Sequence, residues 1–135
     1  MSNELILRQQ ATRKTLAKFS GRPFKYGSVD CVKMARFHAM QLGHTLPRPP
    51  RYTTAVGALR AIKNLGHNDL DAMLGAFFPR IAPAAARIGD LVTGEGEGGI
   101  DAVFIKAGQK LAGFHVDSDE LVMITPERIK SAFRL

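Results

Sequence analysis

"PFKYGSVDC" (residues 23–31) carries the single cysteine of the 135-residue chain at the point where a helix begins. Gly21 and Pro23 interrupt the pattern before it, because both are poor helix residues. Beyond Asp30, the residues Cys31, Val32, Met34, Ala35, Ala39 and Leu42 fall within one broad helical stripe. Asp30 is suited to cap that helix and Gly43 to end it. Cys31 therefore opens a helix, and two readings follow. Unpaired backbone N–H groups and the macrodipole favour a thiolate at such a position. Equally, Cys31 is a small apolar residue that starts a buried stripe.

Working outward, residues 3–19 read as a helix with Leu5, Thr12, Leu16 and Phe19 at helical spacing. "HTLPRPPRY" (44–52) reads as an extended connector, since its prolines forbid regular structure. Thr53 or Thr54 caps a third helix that runs through Leu65 and stops at Gly66. Asn68, with Asp71 three residues on, forms a capping box for a short fourth helix ending before Pro79.

After "APAAA" (82–86) the period shortens. "RIGDLV" (87–92), "IDAVFIK" (100–106), "KLAGFHV" (110–116) and "ELVMIT" (120–125) read as strands separated by turn residues. "GEGEGG" (94–99) is a hairpin connector: it lacks the Lys-Ser/Thr of a phosphate loop, and its glutamates repel phosphate. "AGQ" (107–109) and "DSD" (117–119) mark further turns. "PERIKSA" (126–132) reads as one helical turn before a last short strand. The expectation is a single α+β domain over 1–135, mainly helical in 1–78 and mainly antiparallel strands in 87–135.

At 45% apolar residues the chain is large enough to bury a core without disulfides or metals. One cysteine excludes an internal disulfide and a Cys-rich zinc site, and the acidic "DSDE" run (117–120) lacks calcium-loop spacing. No cofactor and no metal are expected. The N-terminus shows no signal-peptide pattern and no membrane-spanning stretch, which points to synthesis in a reducing cytoplasm. Net charge is +7, distributed unevenly: residues 1–63 hold twelve Lys/Arg against Glu4 and Asp30, whereas residues 64–135 hold seven against ten acids. A basic half attracts acidic partner subunits, anionic cell-wall polymer or nucleic acid. The stripe Arg8, Arg13, Lys14 and Lys18 is able to meet phosphates, but it has no interleaved aromatics or helix-turn-helix pattern, which leaves base recognition unsupported.

A nucleophilic thiol needs a base, and there are four histidines. His38 lies on the same helix about 10 Å from Cys31. His44 lies beyond the end of that helix, and His67 in a helix-to-helix junction. His115, in "GFHVD", is the credible partner, on a strand able to pass the helix start.

The order of a helix, "G-x-x-D-C" at the next helix start, then "GDLV" opening a sheet resembles the NlpC-type papain-like cysteine peptidases, which cut bacterial cell-wall peptides. "FKYGSVDCVKMA", "RYTTAVGALRAI" and "RIGDLV" are similar to a compact phage and prophage branch encoded among tail genes. The resemblance implies a papain-like fold, with Cys31 at the nucleophile position and Gly89-Asp90 at the turn before the first long strand. The family histidine opens the next strand, where this chain has Asp101 or Ile100; an aspartate is too weak a base for a thiol at neutral pH. The third polar position falls near His115. The resemblance thus implies a tail-associated structural or assembly protein of the virion, near the tail tip, with a degenerate site. Its basic helical half would dock on acidic neighbouring tail subunits. The alternative is an active endopeptidase or amidase that opens peptidoglycan during DNA entry, with Cys31 as nucleophile and His115 as base. A charge-driven nucleic-acid accessory role is the third reading.

Overall fold

A computed structural model of the chain describes residues 3–48, 50–96, 101–114, 120–125 and 129–135. Four helices come first: α1 (Asn3–Phe19), α2 (Cys31–Gln41), α3 (Ala55–Asn64) and α4 (Leu70–Phe77). Six strands follow: β1 (Arg80–Ile81), β2 (Leu91–Gly94), β3 (Ala102–Ala107), β4 (Lys110–Phe114), β5 (Leu121–Ile124) and β6 (Ser131–Phe133). They form one antiparallel sheet in the order β1-β6-β2-β3-β4-β5. The architecture is α+β, with the helices packed on the C-terminal sheet.

Alternation along the strands sorts residues to two faces. Leu91 pairs with Ile105 and Phe133, and these three share the main core with Met34 and Ala39 of α2 and with Leu70 and Leu74 of α4. One residue along, Val92 pairs with Phe104 and Ala132, and that row builds a smaller cluster on the opposite face.

The caps explain why the helices start where they do. Asp30 accepts from the Lys33 N–H at 2.8 Å, and Thr54 accepts from the Gly57 N–H at 3.0 Å. The α4 cap is Asp69, which accepts from the Ala72 N–H at 2.7 Å, not the expected Asn68. Both side chains are able to cap, and the shift by one residue leaves Asp71 free to point elsewhere.

The buried face of α1 also differs from expectation. It consists of Arg8, Ala11, Thr12, Thr15 and Phe19, while Leu5 and Leu16 are only half-buried. Thr12 and Thr15 hydroxyls contact the carbonyls four residues back, which satisfies them inside the helix. Arg8 is almost fully buried because its Nη1 donates to Asp90 Oδ1 at 2.8 Å and to the Ile88 carbonyl. It also donates to the Leu135 carbonyl, so a single guanidinium ties α1 to the turn before β2 and to the chain end. Arg8 is therefore not part of an exposed phosphate-binding stripe.

Two further differences concern the C-terminal half. "APAAA" contributes a 3₁₀ turn at Pro83–Ala85, and the two-residue strand β1 precedes it, a pairing too short to show a period in sequence. In "PERIKSA", Ile129 and Lys130 are non-helical and β6 begins at Ser131; Pro126, Glu127 and Arg128 lie outside the described residues. So does the second half of "GEGEGG", and all of "DSD".

Candidate functional site around Cys31

Cys31 opens α2 as expected, and the segment that delivers it is tightly specified. The Asp30 carboxylate is buried, with Oδ1 on the Lys33 N–H and Oδ2 shared by the Gly27 N–H at 2.7 Å and the Tyr52 hydroxyl at 2.8 Å. Lys25 and Val29 exchange two backbone hydrogen bonds, so residues 25–29 fold back in a short loop that closes immediately before the capping Asp30. Gly27 has φ +88, and a Cβ on it would lie 2.0 Å from the Tyr52 carbonyl oxygen. Only glycine fits there. "G-x-x-D-C" and "RYTT" are thus two halves of one junction: Tyr52 anchors Asp30, and Thr54 two residues later caps α3.

The thiol is free and of intermediate exposure at the residue level. It packs where α2 meets β3, and its pKa is pushed up to about 11, first by burial and further by the charge of Asp30. Hydrogen bonding to the backbone of Val103, and at Cys31 and Val32, works in the opposite direction but does not prevail. At pH 7 such a thiol is ionised in only about one molecule in ten thousand. The helix terminus, favourable to an anion by itself, is outweighed by desolvation and by the capping carboxylate.

Beneath the cysteine, the helix-facing row Ser131–Thr93–Val103 crosses the sheet. Its polar members are already engaged. Thr93 Oγ1 donates to Asp71 Oδ1 at 3.1 Å, Arg80 donates to Asp71 Oδ2 at 2.6 Å, and a second Arg80 nitrogen donates to Ser131 Oγ at 3.0 Å. Burial works to raise the Asp71 pKa, yet hydrogen bonds from Arg80, Ser131 and Thr93 leave it below the usual carboxylate value. A carboxylate so held is not a proton acceptor for a thiol. This cluster was not legible in the sequence. Asp71 reads as a capping residue, and nothing local links it to Arg80 nine residues on.

Asp101, the residue before β3 singled out in the sequence, pairs with Lys130 Nζ at 2.8 Å. The partnership raises the Lys130 pKa, chiefly through that hydrogen bond. Among the other site candidates, His38 is fully buried and both its nitrogens are occupied. Nε2 donates to the Gly89 carbonyl at 2.8 Å, and Nδ1 lies 3.0 Å from Thr15 Oγ1. Burial, the largest cause, lowers its pKa. The His44 ring packs on Phe78 and the His67 ring on Phe77. His115 lies outside the described residues. The geometry therefore brings Cys31 to a helix N-terminus against β3, and brings to it none of the three described histidines.

Among the described residues, no group of three or more His, Cys, Asp or Glu is arranged to hold a metal ion, and no helix is long and apolar enough to cross a membrane. In comparison with known families, residues 6–135 match the model described as a domain of unknown function, DUF6950, and the chain belongs to that family. No curated protein matches the chain.

Proposed function

We propose that this DUF6950 chain is a phage tail-associated structural or assembly protein, built on an NlpC-type papain-like scaffold whose peptidase chemistry has been lost. The observation that carries this reading is the environment of Cys31. The residue keeps the nucleophile's place at a helix start, but burial and Asp30 keep its thiol protonated. The carboxylate where a base would stand is bound to Lys130. What is retained is the junction built from Gly27, Asp30, Tyr52 and the α2 terminus, a structural rather than chemical use of the motif.

The charge distribution supports docking on acidic neighbouring tail subunits. Arg8 is consumed by Asp90, but Arg13, Lys14, Lys18, Arg22, Lys25, Arg48, Arg51, Arg60 and Lys63 of the helical half are exposed. An array of this kind accelerates encounter with acidic surfaces and is sensitive to salt.

Two measurements test the proposal. Purified protein incubated with peptidoglycan is expected to release no peptide, and Cys31→Ala to behave identically. Turnover abolished by both Cys31→Ala and His115→Ala would establish the peptidase reading instead. Virions fractionated on a density gradient are expected to carry the protein with the tail. Its recovery only in the free cytoplasmic fraction would refute tail association.

A further inference from the structure

The connector "HTLPRPPRY" (44–52) between α2 and α3 carries a repeat that the helices and sheet do not use: Pro47-Arg48 and, three residues on, Pro50-Arg51. Proline holds φ at about −65° and confines the residue before it to extended conformations, and both Leu46 and Arg48 precede a proline. The chain is thereby steered to polyproline II, a helix of three residues per turn with no internal hydrogen bonds. Among the described residues, 45–48 and 50–51 make no backbone–backbone hydrogen bond. Exposure follows the same period. Leu46 packs half-buried against the main core and Tyr52, two turns on, is buried, whereas Pro47, Arg48, Pro50 and Arg51 are exposed. One edge of the segment faces the protein, and the other two present a proline row and an arginine row to solvent. Pro49 lies outside the described residues.

Both ends of the segment are fixed. The Leu46 carbonyl accepts from Arg36, and the Tyr52 hydroxyl donates to the buried Asp30. A segment so held has already lost much of the conformational freedom that a binding peptide must give up. Its charge has no counterpart nearby in the chain: residues 31–68 contain no Asp or Glu, and among the described residues neither Arg48 nor Arg51 forms an ion pair. Carboxylates suit a guanidinium fork, and aromatic rings suit an exposed row of prolines. Phosphate would satisfy the arginines alone and leave the proline row unused.

We infer that residues 46–52 are a preformed polyproline II ligand for a partner protein whose groove repeats an aromatic ring beside a carboxylate at about 9 Å, one turn of that helix. The rings receive Pro47 and Pro50, and the carboxylates pair with Arg48 and Arg51. The inference rests on the docking to acidic neighbouring subunits proposed above and narrows it to one segment.

The test is isothermal titration of the full chain, at fixed ionic strength, with three polymers. Poly(Glu,Tyr) offers carboxylates and rings, poly-Glu carboxylates alone, and polyphosphate neither. Poly(Glu,Tyr) is expected to bind roughly tenfold more tightly than poly-Glu, and polyphosphate no better than poly-Glu. Pro47→Ala with Pro50→Ala keeps every charge and is expected to bring poly(Glu,Tyr) to the level of poly-Glu. Arg48→Gln with Arg51→Gln is expected to weaken both by roughly tenfold, and Arg13→Gln with Lys14→Gln, on α1, by less than about twofold. Circular dichroism and the urea midpoint confirm that each variant is folded, and the single proline variants replace the pair if it unfolds. The inference is overturned if poly(Glu,Tyr) and poly-Glu bind alike, if the proline variants leave their ratio unchanged, or if the α1 pair matters as much as Arg48 and Arg51. It is overturned equally if polyphosphate binds as tightly as poly(Glu,Tyr), which makes the segment a site for phosphate polymers. No virion enters this titration, so its failure is distinct from a failure of tail association.

Discussion

Gly27→Ala separates two effects that usually travel together, left-handed backbone strain and steric contact. Gly27 and Gly43 have nearly the same torsion, φ +88 and +89. A Cβ at Gly43 meets nothing within 4 Å, so Gly43→Ala carries only the left-handed penalty, about 1–2 kcal/mol. At Gly27 the added carbon lies 2.0 Å from the Tyr52 carbonyl oxygen, and ordinary contact begins at 3.4 Å, so the two chains must part by about 1.4 Å. The hydrogen bonds that Asp30 Oδ2 accepts from Gly27 and Tyr52, at 2.7 and 2.8 Å, do not survive such a shift together. Losing one bond to a buried carboxylate costs about 1.5–3 kcal/mol, and weakening the α2 cap about 1 kcal/mol more. With the backbone strain, Gly27→Ala is expected to cost about 4 kcal/mol or more, at least 2 kcal/mol beyond Gly43→Ala. Urea unfolding followed by far-ultraviolet circular dichroism measures both. Asparagine sharpens the comparison, because it tolerates the left-handed region but still carries a Cβ. Asn is therefore nearly harmless at position 43 and as damaging as Ala at 27. If Gly27→Ala falls within about 1 kcal/mol of Gly43→Ala, with an unchanged m-value, the proposed Gly27–Asp30–Tyr52 junction is not what holds Cys31 in place.

Other expectations concern the buried ionisable groups. The rate of Cys31 alkylation by iodoacetamide is expected to rise with pH toward a midpoint near 11; Asp30→Asn, which still caps, shifts that midpoint downward by removing a nearby negative charge. His38 has a folded pKa below its ordinary 6.5, so the unfolded chain takes up that proton first. Its contribution to stability is complete above pH 6.5 and is lost progressively as pH falls below it; His38→Gln is expected to flatten the change in urea midpoint between pH 7.5 and 5.5. Asp90→Ala leaves Arg8 buried without its carboxylate and is expected to destabilise by about 3–5 kcal/mol, much of which Arg8→Met in the same chain restores, as a double-mutant cycle in urea measures.

Local rules set out most of the secondary structure of this protein. Asp30 and Thr54 cap helices because their oxygens reach N–H groups three residues on, a relation contained within four residues of sequence. The change from helical to alternating periodicity after residue 86 likewise announced the sheet, and Asp30 followed by an apolar stripe placed Cys31 at a helix start. The tertiary structure decided what those positions mean. Arg8 reads as one more cation on a basic helix until Asp90, eighty-two residues away, takes it into the core. Asp71 reads as a capping residue until Arg80, Thr93 and Ser131 converge on it. For Cys31, sequence supplied the helix dipole, the term that favours a thiolate. Desolvation against β3 and the held carboxylate of Asp30 oppose it, and they depend on which surfaces meet. That contest is settled by packing, and here it leaves the thiol protonated.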